Sequence, residues 1–406
     1  MDSEPGAPSQ GPRPRIPGAV WGLLGVAGVI AGFIVWWRID SARRLDQRAQ
    51  AEIPPLIADL GNPDSFTRSR AANRLANFGA RAREATPALV RALEDPDFHV
   101  RSSAAGALLM IGSGVLPQVL PLLDSDNHET VLTALDLVGS FESASVAAVP
   151  ALLRLVGSSD LRVASRAESA LRGVGEPALP EILEHLKKAA PRVRVQLLDT
   201  IFPYRIPADR IVPALIRILE EDSEPLVKSK VLDVLSRYKE KAAPAAAAAA
   251  RALESRELSV RVLAAEALGQ MGSSAYELVR AACSSPRVEV RERALYTLAK
   301  IGTGYRTGQT IEILTGSVHD ADWTIRRIVF SGIAMIGTPA RTCVDLALKG
   351  LGDARPEVRS SAANALERLE VVTPDVFAAL EKAESDPDPQ VRESAGIART
   401  RLAKKK

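Results

Sequence analysis

Four histidines and two cysteines in 406 residues leave metal and thiol chemistry little to work with. His99, His128, His185 and His319 are widely scattered, with no HExxH pattern and no second histidine one helical turn away to share a metal. Cys283 and Cys343 occupy unlike positions, so neither a disulfide framework nor a thiolate site is implied, and no CxxC occurs. A GxSxG nucleophile turn is missing as well. Gly302, Gly304 and Gly308 surround Tyr305 and Arg306, but the lysine and spacing of a phosphate-binding loop are absent, and the stretch reads as a flexible connection. Aromatic residues make up only 4% of the chain, as close packing of small side chains would require. Charge of one sign is lacking too. The 52 basic and 49 acidic residues leave a net +3, which gives no electrostatic case for nucleic acid.

What the chain does contain is one phrase, repeated. Anchors at Arg68, Arg101, His128, Ala164, Arg194, Lys228, Arg261, Arg291, Arg326, Arg359 and Arg392 lie 27 to 36 residues apart. Residues at −1, +3, +7 and +10 from an anchor, such as Val100, Ala104, Leu108 and Ile111, share one face of a 3.6-residue helix. Eleven residues beyond the anchor, Gly79, Gly112, Gly139, Gly175, Gly272, Gly302 and Gly337 read as helix stops, which Arg205 and Lys239 lack. A shorter helix opening on proline is expected before each anchor, as at Pro87, Pro150 and Pro180.

Asn62, Asp95, Asp222, Asp320, Asp353 and Asp386 stand six residues before an anchor, where a turn needs a side chain able to cap the following helix. Their carboxylates would also reach basic anchors of their own or the next repeat. Asp95, Arg101, Asp222, Lys228, Arg261, Arg291, Asp320, Arg326, Asp353, Arg359, Asp386 and Arg392 are therefore expected to form a structural ladder. The recurrent Asp-x-Asp pairs are read as caps rather than metal ligands, because they recur wherever a turn does.

A proline fourteen before the anchor, Asp or Asn six before it, and Arg or Lys at the anchor resemble the HEAT repeat. The short first helices and small apolar pairs are similar to its phycobilisome lyase-type variant. The resemblance spans residues 54–402 and implies an all-α, right-handed solenoid of about eleven helical hairpins. Such repeats cannot bury their apolar faces alone and depend on stacked neighbours. At the end of the chain, Arg399, Arg401 and Lys404 to Lys406 replace apolar residues and read as a polar cap with a basic tail at 403–406.

Residues 18–37 form an uncharged run of twenty, long enough to span about 30 Å of hydrocarbon, with Trp21 near one end and Trp36 and Trp37 at the other. A single transmembrane helix is expected there, after a Pro/Gly-rich disordered tail at 1–17 and before a charged segment at 38–53 ending near Pro54-Pro55. Arg38, Arg43, Arg44 and Arg48 against Arg13 and Arg15 favour cytoplasmic repeats. Small-residue spacing in the run, including Gly28 and Gly32, would suit a homodimer through the anchor.

The reading that follows is a membrane-anchored, non-catalytic scaffold for protein partners, with no cofactor and no nucleic acid. Its mixed groove candidates are Arg70, Arg166, Lys230, Glu266, Arg293, Tyr296 and Asn364. The alternative that the resemblance implies is an enzyme or enzyme accessory like the phycobilin lyases.

Overall fold

The structure is a computed structural model that describes residues 18–201 and 206–405. The tail expected at 1–17 and the position of Arg205 lie outside the described residues. Among the described residues every regular element is helical, and eleven second helices, which carry the anchors, alternate with first-position helices that are mostly shorter or 3-10-led. The second helices are Ser65–Ala76, Phe98–Ile111, His128–Ser140, Leu161–Val174, Pro191–Asp199, Pro225–Tyr238, Leu258–Met271, Val288–Gly302, Trp323–Ile336, Pro356–Leu369 and Pro389–Ala403. The chain divides into two compact units, residues 1–137 and 138–406.

The repeat pattern dictates what each unit buries. Val100, Ala104 and Leu108 in the first unit are fully enclosed, and Val290, Ala294 and Leu298 are enclosed in the second. Alanine at +3 lets neighbouring helices approach closely, while the aliphatic side chain at +7 fills the space between them; burying one leucine contributes about 2 kcal/mol. Proline occupies the first turn of Thr86–Ala92, Val149–Val156 and Leu179–Leu186, where a missing N–H costs nothing.

At the N-terminal end the helix does not break at Pro54-Pro55, near which the charged segment was expected to end. One helix, Gly18–Asp59, runs through both prolines and becomes the first helix of the first repeat. Ala49, Ile53, Leu56 and Leu60 bury one side of this end of the chain. Asp40 with Arg44 and Arg48 with Glu52 pair one turn apart along the helix, and Arg74 reaches Glu52 at 2.6 Å and Arg81 reaches Asp46 at 2.6 Å. The side chains of residues 18–35 lie outside the described set. Among the described residues no single helix is long and apolar enough to cross a membrane.

The third anchor is displaced by one turn. The helix His128–Ser140 begins after Asn127, whose side chain accepts the Glu129 N–H at 3.0 Å, and Val131 N–H bonds the Asn127 carbonyl. Every other second helix places its anchor at the fourth residue, so Val131, not His128, fills the slot. Gly139 consequently sits inside a helix rather than at a stop, and a side chain there would meet the Ala170 Cα at 3.5 Å.

Positive φ marks the true stops. Gly79, Gly112, Gly175, Gly272 and Gly337 share it with Glu142, Lys239 and Glu370, all at the same place after their corrected anchors. Lys239 thus keeps the stop that its identity was expected to abolish. Its angles, φ 51° and ψ −132°, nearly match the 71° and −137° of Gly337, a region that side chains populate at a cost of about 1–3 kcal/mol. Gly302 departs the other way: it ends the helix Val288–Gly302, and the left-handed residue is Arg306. That connection is ordered by packing. Arg306 lies over the rings of Tyr276 and Tyr305 and pairs with Glu277.

Lys239→Gly is expected to stabilise the chain by about 1 kcal/mol and Gly337→Ala to destabilise it by about 1–3 kcal/mol, read as opposite shifts in the urea midpoint.

Candidate functional site

Each repeat turn is built by two acidic or polar side chains with different tasks. The residue six before the anchor accepts the backbone N–H two positions on, as Asp95 does from Asp97, Asp320 from Asp322, Asp353 from Arg355 and Asp386 from Asp388, all at 2.9 Å. Capping falls instead to the residue four before it. Asp64, Asp97, Asp160, Asp322 and Asp388 accept from the first N–H groups of their helices. The Asp-x-Asp pairs at 95/97, 320/322 and 386/388 therefore close a turn and cap a helix. The expected direct cap at the first position is corrected accordingly.

With the turn closed, its carbonyls point at the anchor. Arg326 Nη1 donates to the Asp320 and Ala321 carbonyls at 3.0 and 3.2 Å, while Nε and Nη2 take both oxygens of Asp353 in the next repeat at 2.8 and 3.0 Å. Arg359 repeats this with Asp386, and Arg68 with Asp95. Arg291 reaches Asp320 at 3.1 Å and Arg194 reaches Asp222 at 3.2 Å. The ladder runs from each arginine to the following turn. Serine interrupts it: Arg101, Lys228 and Arg261 are followed by turns with Ser125, Ser255 and Ser285 at the carboxylate position. Arg101 and Arg261 keep their own-turn carbonyls, and Arg392 holds those of Asp386 and Pro387.

Hydrogen bonds from the arginines hold the carboxyls of Asp95, Asp353 and Asp386 below the usual range. These groups titrate lower in the folded chain than in the unfolded one. Their stabilisation is therefore complete above about pH 5 and is lost as the pH falls further.

A half-buried side of the second helices in residues 138–406 carries a polar network between repeats. Gln196 donates to Glu168 at 3.1 Å, and Lys230 bridges Asp199 at 2.5 Å and Asp233 at 3.1 Å. Arg237 joins Asp233 at 2.5 Å and Asp199 at 3.5 Å. Further along, Lys300 meets Glu266 at 3.1 Å, and Arg327 meets Glu292 at 3.1 Å. Burial pushes the Glu168 carboxyl up, whereas bonds from Gln270 and then Lys300 outweigh burial and lower that of Glu266.

Lys230 and Glu266 are therefore engaged within the chain. Arg70 is exposed over the Phe66 ring at 6.0 Å, and Arg166, Tyr296 and Asn364 are exposed on their own helices. Arg293 is half-buried. No single pocket gathers these seven. The network residues Asp199, Asp233, Arg237 and Lys300 were missed because the +5 and +9 columns hold no recurring residue type, so their pairing across repeats is legible only in the structure. Neither cysteine offers an activated thiol; burial pushes Cys283 to about 12 and raises Cys343 too. Among the described residues no three His, Cys, Asp or Glu side chains converge as ligands to a metal would.

A family model described as HEAT repeats matches residues 53–136, 245–329 and 311–398. The chain belongs to the HEAT repeat family. No curated protein matches it in sequence. Similar solved structures include Kap121p bound to Ste12p, with 12% identity and a TM-score of 0.59 over 86% of this chain and 45% of that one. Kap121p bound to Nup53p gives 11% and 0.59 over 86% and 45%, and Kap95p, from a study of its binding to RanGDP, gives 15% and 0.50 over 86% and 54%. These similarities establish a shared HEAT fold. The chain spans about half the length of those proteins.

Arg326→Ala, which leaves Asp353 unpaired, is expected to cost about 2–4 kcal/mol, against less than about 1 kcal/mol for the more solvated Tyr296→Ala, read from denaturation midpoints. Wild-type melting temperature should fall between about pH 5 and 3, and Asp353→Asn should flatten that fall.

Proposed function

We propose that this HEAT repeat protein is a membrane-anchored, non-catalytic scaffold for protein partners. The observation that carries the scaffold reading is the polar face of the second helices within residues 138–406, where charged and amide side chains link several pairs of neighbouring repeats. Such a face offers many moderate contacts and no reactive centre. The solved HEAT structures of Kap121p bound to Ste12p and to Nup53p are consistent with this use of the fold.

Anchoring rests on the uncharged run at 18–37 and on the continuity of the helix Gly18–Asp59 into the first repeat. With about 1.5 Å of rise per residue, the 16 positions from Trp37 to Ile53 would hold the repeats roughly 24 Å from the bilayer edge without a flexible stalk. The arginine excess after the run supports repeats on the cytoplasmic side. No observation favours the lyase-like alternative.

The test takes the full-length protein from its own membranes in mild detergent, beside residues 1–53 alone, and identifies co-purifying proteins by quantitative mass spectrometry. Stoichiometric partners are expected with the full chain only, and the protein should stay in the pellet after alkaline carbonate extraction. Identical partner lists would overturn the scaffold reading, and release by carbonate would overturn the anchor.

A further inference from the structure

One ladder arginine is left open. Where the ladder is complete, as at Arg326, the guanidinium makes two carbonyl and two carboxylate bonds. Arg194 makes a single bond, to Asp222 at 3.2 Å, and its Nε is buried with no partner. The sequence explains the difference. The preceding turn is Lys188-Ala189-Ala190-Pro191, with no carboxylate to close it and no side-chain cap, so its carbonyls are not drawn onto the guanidinium. Arg261 and Arg291 also have an open Nε, but both retain their two carbonyl bonds.

Arg194 lines a cleft of about 540 Å³ between the first-position helices Leu179–Leu186 and Ala208–Glu221. Leu183 and Leu186 line it from one helix, and Ala214 and Ile218 from the other. Arg217 is exposed at this cleft and forms no ion pair among the described residues. Lys187 and Glu184 are already paired with each other at 2.5 Å. Two incompletely used guanidinium groups thus face a groove walled by aliphatic carbons. A carboxylate in the groove would take up donors of Arg194 and Arg217 that the chain leaves unused, at the cleft surface rather than at the buried Nε.

We infer that this cleft binds an extended peptide segment of a partner protein, with an Asp or Glu carboxylate on Arg194 and Arg217 and an adjoining aliphatic side chain between Leu183 and Ile218. The inference rests on the scaffold reading and names the chemistry of one partner contact. Glu221 and the Arg194-bound Asp222 also line the cleft and repel a second acid, so the motif carries one carboxylate flanked by leucine or isoleucine rather than an acidic run.

The probe is a fluorescein-labelled heptapeptide, Gly-Leu-Leu-Asp-Leu-Leu-Gly amide, titrated with the detergent-solubilised full chain and followed by anisotropy, beside its Asn twin and octanoate as competitor. The Asp peptide is expected to bind about tenfold more tightly than the Asn peptide. Ala214→Trp, which fills the groove, should abolish binding, and the surface change Arg217→Glu should weaken it about tenfold, both with unchanged melting. Should the tryptophan variant fail to fold, Arg217→Glu carries the test alone. Equal binding of the two peptides, no binding at millimolar peptide, or indifference to Arg217→Glu would overturn the inference. Displacement by octanoate as effective as by unlabelled peptide would reassign the cleft to small carboxylates and equally overturn it. Failure of this titration with the full-chain partner list intact removes the cleft and leaves the scaffold standing; loss of the list with peptide binding intact does the reverse.

Discussion

A guanidinium that holds its own turn with one nitrogen and the next turn with two others is the interaction on which the rest of the repeats depend. Arg68, Arg326 and Arg359 each make both sets of bonds, so the turn is fastened before and after itself by one side chain. Lysine cannot do this, because a point charge lacks the planar fork that meets both carboxylate oxygens. The aliphatic core beneath supplies most of the free energy of burial, but it is nearly interchangeable from repeat to repeat. The clamp adds register. It sets which turn follows which helix.

The clamp in turn requires a closed turn, and that requirement explains where the array is regular. Aspartate six before the anchor bonds forward to its own backbone and accepts the preceding arginine; serine in the same place does only the first. Positions followed by Ser125, Ser255 or Ser285 therefore keep helical packing but lose the ion pair. At Lys188 even the turn bond is lost, and the open Arg194 beside a groove is the result. Strain is distributed similarly. A left-handed residue ends most second helices irrespective of identity, so Lys239 and Glu142 are held there by the packing of the helices on either side.

The polar face obeys another rule. Side chains one repeat apart lie near each other, and long charged groups such as Lys230, Arg237 and Lys300 reach across to acids on the neighbouring helix. A partner binding there must exchange these internal pairs for its own, which favours specificity over affinity. The scaffold reading follows from that surface together with the HEAT fold, and the membrane reading from the apolar N-terminal run.

Much of this was legible in the residues. Periodicity of apolar positions determined the helical hairpins, the buried face and the arginine column, because a 3.6-residue helix admits only one way to bury Val100, Ala104 and Leu108 together. It also determined the charged pairs as structural, since a feature that recurs with every turn is explained by the turn. Tertiary structure alone decided the register of the third repeat, where Asn127 as cap moves the anchor to Val131. It decided that Gly139 is not a stop while Lys239 is, and that Gly302 ends its helix without the positive φ of the other stops, since φ depends on what neighbouring helices require. Finally, it decided which charges remain open. That the turn before Arg194 lacks a carboxylate was visible as Lys188; that the arginine then lines a cleft between Leu179–Leu186 and Ala208–Glu221 was not.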